Sequence, residues 1–387
     1  MKIYKEQNVY DAALERIRWC FDEFEDVVVS YSGGKDSTVI FEMALQVAKE
    51  KNRLPLKVMW LDQELEWKST VEQVKSVMYR PEVEPMWYQI PMLILNASSG
   101  VKGNTWLHCW YPNEEWAREQ DPISIKVNRF GTNRFHDLFG AISKVEFAGK
   151  KVCYLGGVRA EESPGRYLSL TATPKYKWVT WGKKNDPKEE HYTMYPIYDW
   201  SYIDVWKAIY EHKWRYSSHY DSLYQLGVEV KNMRVSNIHH ETAVESLFVM
   251  QEIEPDTYEK AVKRMGGLDT AGKMGREDYF INELPFMFES WKEYRDYLLE
   301  NLIEEEETKK RLRGFFVQLE PYEKYLGEAI YQTEIQSIVT NDWDGTKLKN
   351  YTARPCMIKY NRLVKRDRAL KKKQEEAKNN NDNKKEQ

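Results

Sequence analysis

The stretch from Val27 to Thr38 constrains this chain most, because it reads as a strand, a tight turn and the start of a helix. Its three consecutive valines, Val27–Val29, are β-branched and favour a strand that is covered on both faces. The turn Ser32–Ser37 has the sequence Ser-Gly-Gly-Lys-Asp-Ser, and an apolar run with helical spacing follows it. A second strand is predicted at Lys57–Asp62, so the pattern indicates a βαβ unit with parallel strands.

The turn has the features of a phosphate-binding loop. Gly33 and Gly34 lack Cβ atoms, so the backbone can bend sharply and a ligand can approach it closely. A loop that opens a helix gathers backbone N–H groups at a partial positive charge, which favours an anion. Lys35 adds a full positive charge, while Ser32 and Ser37 add hydroxyl groups. We therefore expect a phosphate site here.

The complete motif Ser32-Gly33-Gly34-Lys35-Asp36-Ser37 resembles the SGGKDS pyrophosphate loop of the phosphoadenosine phosphosulfate (PAPS) reductase and N-type ATP pyrophosphatase superfamily. The spacing of the common mononucleotide loop, Gly-x4-Gly-Lys-Ser/Thr, is absent. The resemblance implies an α/β fold with a doubly wound, mainly parallel five-stranded sheet of the adenine nucleotide alpha hydrolase type. It also implies an adenine nucleotide as ligand.

Two later segments support the same resemblance. Gly157-Val158-Arg159, followed by Glu162, Ser163 and Arg166, is similar to the family's second, arginine-rich signature. It begins at the end of a predicted strand at 152–159, and the forks of its arginines match phosphate oxygens. The segment Tyr195–Trp206 is similar to the proline–isoleucine–x–aspartate–tryptophan piece that comes next in the family. Together the three segments predict one site at the carboxyl edge of the sheet.

The resemblance predicts the following site. Lys35, Asp36, Arg159 and Arg166 are the predicted catalytic residues. The predicted nucleotide-binding residues are Ser30, Ser32, Gly33, Gly34, Lys35, Asp36, Ser37, Asp62, Gly157, Arg159, Glu162, Ser163 and Arg166. Asp62 closes the second strand and is placed to meet the sugar, the base or a metal. Asp36 has two interpretations, as a Mg²⁺ ligand or as a cap of the helix.

The same comparison suggests three segments of the chain. Residues 1–230 form the predicted nucleotide-binding domain, with an aromatic insertion at about 96–137. Residues 231–358 are predicted to be mainly helical and resemble the C-terminal extension of longer PAPS reductase-like proteins of phages, plasmids and pathogenic bacteria, of the immunoglobulin-binding regulator A type. Residues 359–387 form a basic low-complexity tail, expected to be helical at first and then disordered.

The sequence does not decide between two reactions. The family's reductases carry a cysteine in a Glu-Cys-Gly-Leu-His type of C-terminal motif, which this chain lacks; its late cysteine is Cys356. We therefore favour an ATP pyrophosphatase or adenylating enzyme that acts at the α-phosphate, with ATP and Mg²⁺. The alternative is chemistry on PAPS or adenosine phosphosulfate (APS), with a thiol from Cys356, Cys109 or a partner. No iron–sulfur cluster is expected, because the cysteine pairs for one are missing.

Composition limits the partners. The formal net charge of −3 argues against general electrostatic binding of nucleic acid, although the basic tail could contact it weakly. Four scattered cysteines favour a reducing, cytoplasmic compartment, and no apolar run is long enough to span a membrane. Resembling proteins are commonly encoded beside a ParB-like protein, so a third interpretation is a nucleotide-binding regulatory subunit. The sequence does not indicate the oligomeric state.

Overall fold

The first half of the protein contains a six-stranded sheet. The computed structural model describes residues 5–96, 106–235, 244–268, 283–339, 342–343, 345–353 and 355–383. Contacts within the chain divide it into two units, the first comprising Met1–Ile94 and Trp106–Met265 and the second Leu95–Thr105 and Gly266–Gln387. Each unit has its own apolar core, and the sheet belongs to the first.

The strands of this sheet are β1 Asp26–Ser30, β2 Leu56–Leu61, β3 Val83–Tyr88, β6 Val152–Leu155, β7 Gly182–Lys184 and β8 His191–Met194. They lie in the order β3-β2-β1-β6-β8-β7. The first five strands in this order run parallel, and β7 runs antiparallel to β8. The predicted α/β class is confirmed, but the predicted number of five strands omitted the antiparallel edge strand. β7 is three residues long and mostly exposed, so it has no apolar pattern that the sequence could show.

Helices cover both faces of the sheet, as the doubly wound pattern requires. Those before the insertion are α1 Val9–Glu23, α2 Lys35–Glu50 and α3 Lys68–Met78, and those after it are α4 Phe135–Glu146, α5 Pro164–Thr171, α6 Tyr202–Glu211 and α7 His219–Gln225. Helix α1 buries Ala13, Ile17 and Cys20, the apolar face that its spacing predicts. Helix α2 is buried along most of its length, which fits its place beside the central strand.

The strand order places a topological switch point beside β1. The chain runs from β1 through β2 to β3 on one side, and β6 then pairs with β1 on the other side. Ligands of open α/β sheets bind in the crevice outside the carboxyl ends of the strands at such a point. The loop after β1 and the loop after β6 both open there.

Two further pairs of elements lie outside the six-stranded sheet. Within the aromatic insertion, β5 Trp106–Cys109 pairs with β4 Met92–Leu95 in a two-stranded sheet. Helices α8 Val244–Ile253 and α9 Pro255–Arg264 pack on each other and end the unit.

The second unit is helical in the residues that the structure describes. Its helices are α10 Trp291–Asn301, α11 Glu306–Leu326, α12 Ala329–Val339, α13 Thr346–Ala353 and α14 Ile358–Asn383. Its core includes Leu299, Leu312, Phe316, Ile330 and Ile338. The sequence predicts that the tail becomes disordered, but α14 continues to Asn383. Good helix formers such as Lys, Arg, Glu and Ala predominate up to Lys378, whereas the last five residues of the helix, 379–383, are Asn and Asp. Across the described ranges, each helix is too short or too polar to span a membrane.

Candidate nucleotide site

The loop after β1 has the shape that its glycines predict. Gly33 has φ +74°, and a Cβ atom at this position would lie 2.8 Å from the Thr70 side chain. Both the backbone angle and the close packing therefore require glycine. The hydroxyls of Ser32 and Ser37 lie 3.1 Å apart, and Ser37 Oγ donates to the Gly34 carbonyl. These hydrogen bonds hold the loop closed at the start of helix α2.

Asp36 joins the two signatures of the sequence. Its Oδ1 accepts a 2.6 Å hydrogen bond from Arg159 Nε, and its Oδ2 lies 3.0 Å from Lys35 Nζ. The Lys35 and Arg159 side chains are both nearly buried, whereas Asp36 is partly exposed. The Asp36 carboxylate thus holds both Lys35 and Arg159 in place. Its hydrogen bond to Arg159 joins positions that are 123 residues apart in the sequence.

Gly157 lets the two loops meet. A Cβ atom on Gly157 would lie 2.8 Å from the backbone carbonyl carbon of Asp36. Real Cβ atoms almost never approach a backbone so closely, so a side chain here would push the two loops apart. The glycine in the second signature therefore has a packing reason.

The rest of the second signature forms a short turn and a capped helix. Arg159 N donates to Glu162 Oε1, and the other oxygen of Glu162 pairs with Arg166. Ser163 Oγ caps α5 by accepting from Arg166 N at 3.1 Å. Burial and the neighbouring guanidinium of Arg234 lower the pKa of Arg166. The signature thus delivers Arg159 and Arg166 to one side of the loop.

Two residues near the loop were not predicted from the sequence. The Tyr220 hydroxyl accepts a 3.0 Å hydrogen bond from Lys35 N, and its ring lies beside the Lys35 ammonium. The Met233 carbonyl accepts from Lys35 Nζ at 3.3 Å. Both lie far along the chain, at separations of 185 and 198 residues from Lys35. No local spacing links positions so far apart.

Asp62 lies at the carboxyl end of β2, as predicted, but it is fully buried. Its Oδ2 accepts from Trp87 Nε1 at 2.8 Å and from Gln89 Nε2 at 2.9 Å. Its Oδ1 accepts from Glu64 N and pairs with Arg118. The carboxylate therefore holds this loop together, and its predicted contact with a ligand stays a prediction.

Glu64 is a second buried carboxylate in the same loop. It has φ +65°, a left-handed backbone that is uncommon outside glycine. Its side chain accepts from the backbone N–H groups of Trp110 and Ala117, and it pairs with Arg264 at the end of α9. The insertion and the α8–α9 pair thus converge on the loop after β2.

Glu254 gives the α8–α9 pair a second contact with this region. Its carboxylate accepts from Lys68 N at 2.6 Å, Ser69 N at 3.0 Å and Ser69 Oγ at 2.6 Å. These amides open α3, whose own N-cap residue, Trp67, makes no side-chain cap. Glu254 therefore caps α3 from a distant part of the chain.

Glu66 completes the set of buried acids in this loop. It is 5% exposed, and burial together with the negative charge of Asp62 raises its pKa to about 8, despite the opposing effect of Arg118. The carboxyl is thus protonated at neutral pH. A displaced pKa of this kind is common at functional sites, although structural clusters also produce it.

Asp36 is the residue that the sequence predicts for Mg²⁺. Both of its oxygens face cations, Lys35 and Arg159. Within the described part of the chain, no group of three or more His, Cys, Asp or Glu side chains is arranged to hold a metal ion. This geometry fits an anchor for two cations better than a protein-built magnesium site, and the magnesium role of Asp36 stays a prediction. Mg²⁺ that enters with a nucleotide is usually held largely by phosphate oxygens and water.

The cysteines differ in what they could do as thiols. Cys20, Cys109 and Cys153 are buried, and Cys356 is exposed in the second unit. Burial and the charge of Glu64 raise the pKa of the Cys109 thiol, which also donates to the Gln63 carbonyl. A thiol with a raised pKa is a poor nucleophile. Cys109 is therefore unsuited to attack a bound nucleotide.

Comparison with known families gives two matches along the chain. Residues 26–229 match the phosphoadenosine phosphosulfate reductase domain. Residues 227–375 match a domain of unknown function, DUF3440. The first match spans both signatures and more than half of the 387 residues.

The individual relatives have low sequence identity to this chain. An uncharacterised protein of Escherichia coli K12, YbdN, is 26% identical over 326 residues, which cover 79% of this chain and 78% of that protein. Sulfate adenylyltransferase subunit 2 of Akkermansia muciniphila is 24% identical over 208 residues, covering 50% of this chain and 59% of that protein. Among solved structures, the FMN adenylyltransferase of Candida glabrata has a TM-score of 0.35 at 13% identity and covers 56% of this chain and 62% of that chain.

Proposed function

Because the chain belongs to the phosphoadenosine phosphosulfate reductase domain family, we propose that it binds an adenine nucleotide at the Ser32–Ser37 loop and acts at the α-phosphate. In the proposed reaction an acceptor attacks the α-phosphorus of ATP, and the bond to the β-phosphate oxygen breaks. The adenylyl group passes to the acceptor and pyrophosphate leaves. Catalysis of this kind depends mainly on positioning and on stabilising charge.

The observation that carries the proposal is the ion-paired set Lys35–Asp36–Arg159 at the switch point of the sheet. Lys35 and the amides that open α2 would hold phosphate oxygens. Arg159 and Arg166 would face the phosphates from the other loop. Asp36 keeps Lys35 and Arg159 in place before a nucleotide arrives, so little reorganisation is needed when charge moves to the leaving pyrophosphate.

The direct test is incubation with ATP, Mg²⁺ and candidate acceptors while AMP transfer and pyrophosphate release are measured. Lys35→Met should abolish release. Lys49→Met is the matched control, because Lys49 lies near the other end of the same helix and pairs with Glu82. Release that survives Lys35→Met, or sulfite release from PAPS in place of pyrophosphate release from ATP, would overturn the proposal.

A second candidate is reduction of a sulfonucleotide, favoured by the exposed thiol of Cys356. The thiolate would attack the sulfur of PAPS or APS, and the sulfur–oxygen bond to the nucleotide would break. A second thiol would then attack the Cys356 sulfur, so that sulfite leaves and a disulfide forms. A partner protein or a small thiol would supply that second thiol. Cys356→Ser should then abolish sulfite formation, whereas Cys109→Ser should not.

A third candidate is a regulatory subunit that binds a nucleotide for a ParB-like partner. The length of the helical second unit motivates it. A thermal-shift panel with ATP, AMP, APS, PAPS and the product 3′,5′-bisphosphate would separate these candidates at the level of binding. Preference for a 3′-phosphate would favour the sulfonucleotide function. Nucleotide binding without turnover, together with a co-purifying ParB-like protein, would favour the regulatory function.

A further inference from the structure

A fourth cation lies beside the predicted site. Lys35, Arg159 and Arg166 belong to the two signatures, but Arg234 does not. It lies beyond residue 229, where the match to the PAPS reductase domain ends, and within the segment that matches DUF3440. Arg234 belongs to the same unit as the loop.

The backbone before Arg234 is anchored to the loop. Met233 is 2% exposed and packs with Tyr220 and Leu223. Its carbonyl accepts the hydrogen bond from Lys35 Nζ. The Arg234 side chain therefore starts from a fixed point next to the phosphate-binding lysine, even though it is itself exposed.

The cations of the two signatures each have a carboxylate partner near the loop, whereas Arg234 differs from them. Asp36 lies between Lys35 and Arg159, and Glu162 pairs with Arg166. Within the residues that the structure describes, Arg234 has no carboxylate partner.

Arg234 and Arg166 lie at two ends of one chain of contacts. Arg234 follows the Met233 carbonyl that Lys35 contacts, and Lys35 is linked to Arg166 through Asp36, Arg159 and Glu162. The guanidinium of Arg234 contributes to the lowered pKa of Arg166, second only to burial, because two like charges disfavour each other's protonated form. An anion placed between two guanidinium groups would relieve this repulsion.

We propose that Arg166 and Arg234 form a subsite for the terminal anionic group of the nucleotide, the tetrahedral phosphate or sulfate that lies beyond the α-phosphate. The inference rests on the proposed function for the identity of the nucleotide, but it concerns binding and not the reaction. Guanidinium groups suit such a group because they donate paired hydrogen bonds to its oxygens. The segment outside the PAPS reductase domain thus supplies part of the ligand specificity.

The test is calorimetric titration of the full chain with ATP, AMP and pyrophosphate. Arg234→Gln should weaken binding of ATP and pyrophosphate by roughly tenfold to a hundredfold, the loss expected for a charged hydrogen-bonding pair, and should leave AMP binding unchanged. Arg234→Lys should restore part of the affinity, since it keeps the charge and loses the fork. Lys231→Gln is the matched control, because Lys231 lies in the preceding turn, is exposed and already pairs with Glu229.

Equal weakening of ATP and AMP, or no weakening of either, would overturn the subsite. The same titration with PAPS and its 3′,5′-bisphosphate product distinguishes a terminal sulfate from a terminal phosphate. If the wild-type protein binds ATP without cleaving it, the proposed reaction fails while the titration still decides the subsite. If it cleaves ATP but Arg234→Gln binds like the wild type, the subsite alone fails.

Discussion

Arg264 pairs with Glu64 across a sequence separation of 200 residues, with Arg264 Nε 2.8 Å from Glu64 Oε1. Glu64 is fully buried and only a tenth of the Arg264 side chain is exposed. The same guanidinium donates to Glu114 and to the His108 carbonyl. One residue at the end of α9 therefore joins the loop after β2 to the aromatic insertion.

Arg264→Met should destabilise the first unit strongly. The substitution leaves the Glu64 carboxylate buried without its cation, which typically costs about 3–5 kcal/mol. Urea denaturation measures the loss. Adding Glu64→Gln should recover part of it, because the buried charge is then removed. Lys263→Met is the control, since Lys263 is exposed, and it should change stability by less than about 0.5 kcal/mol. Equal effects of Arg264→Met and Lys263→Met would contradict the role given to the pair.

Glu254→Gln should weaken the start of α3. The neutral amide loses the charge that faces the helix N-terminus and keeps one acceptor oxygen for four donors, the three of α3 and the Thr257 hydroxyl. A loss of about 1 kcal/mol is expected, as for other helix caps. Hydrogen exchange of the Lys68 and Ser69 amides locates the effect. Glu252→Gln, at an exposed site near the end of α8 and two residues before Glu254, should leave these amides protected.

Gly157→Ala should reduce nucleotide binding. The added methyl group would lie 2.8 Å from the Asp36 backbone and would have to separate the two loops. A shift that breaks the Arg159–Asp36 hydrogen bond should weaken binding by roughly tenfold, the value of one charged hydrogen bond. Gly165→Ala is a matched control, because its Cβ would meet only the Ser163 hydroxyl, at 3.9 Å. Titration with ATP compares the two, and similar affinities would contradict the packing argument.

Glu66→Gln should change how stability depends on pH. The folded-state pKa of Glu66 is raised to about 8 from an ordinary value of 4.5. Below the ordinary value both states carry the proton, and above it the unfolded chain loses the proton that the folded state keeps. Stability from this group is therefore lost as pH rises towards 8, by about 1.4 kcal/mol per pH unit.

The Glu66→Gln variant carries no titrating group at this position. The difference between its free energy of unfolding and that of the wild type should therefore grow in favour of the variant between pH 5 and 8. Urea denaturation at three pH values within this window is sufficient. A constant offset from the glutamine amide does not affect the comparison. Parallel stability curves for the two proteins would show that Glu66 is not held neutral.

The parts of the site that the sequence predicts are those encoded within a few neighbouring residues. The Ser32–Ser37 loop is recognisable because strand, glycines and helix start follow one another directly. Glu162, Ser163 and Arg166 are recognisable for the same reason, since a capped turn requires them at fixed spacing. The parallel sheet followed from the βαβ pattern and the resemblance, and the structure confirms it.

The parts that the sequence did not predict are contacts between distant segments. Tyr220 and Arg264 lie on helices whose sequences show only amphipathic or polar patterns, and nothing local indicates that they reach Lys35 and Glu64. Asp62 was expected to face a ligand because it ends a strand. Its partners Trp87, Gln89 and Arg118 come from another strand end and from an insertion without periodicity, so their convergence on it could not be anticipated.

The pairing of Glu64 with Arg264 also sets an order of events during synthesis. A ribosome adds roughly 5–20 residues per second, so the 200 residues between the two partners take roughly 10–40 s to make. During that interval the loop after β2 has emerged without the cation that compensates its buried carboxylate. The nascent first unit should therefore stay open at this loop until α9 leaves the ribosome, and its final closure should depend on residues translated after the PAPS reductase-like segment is complete.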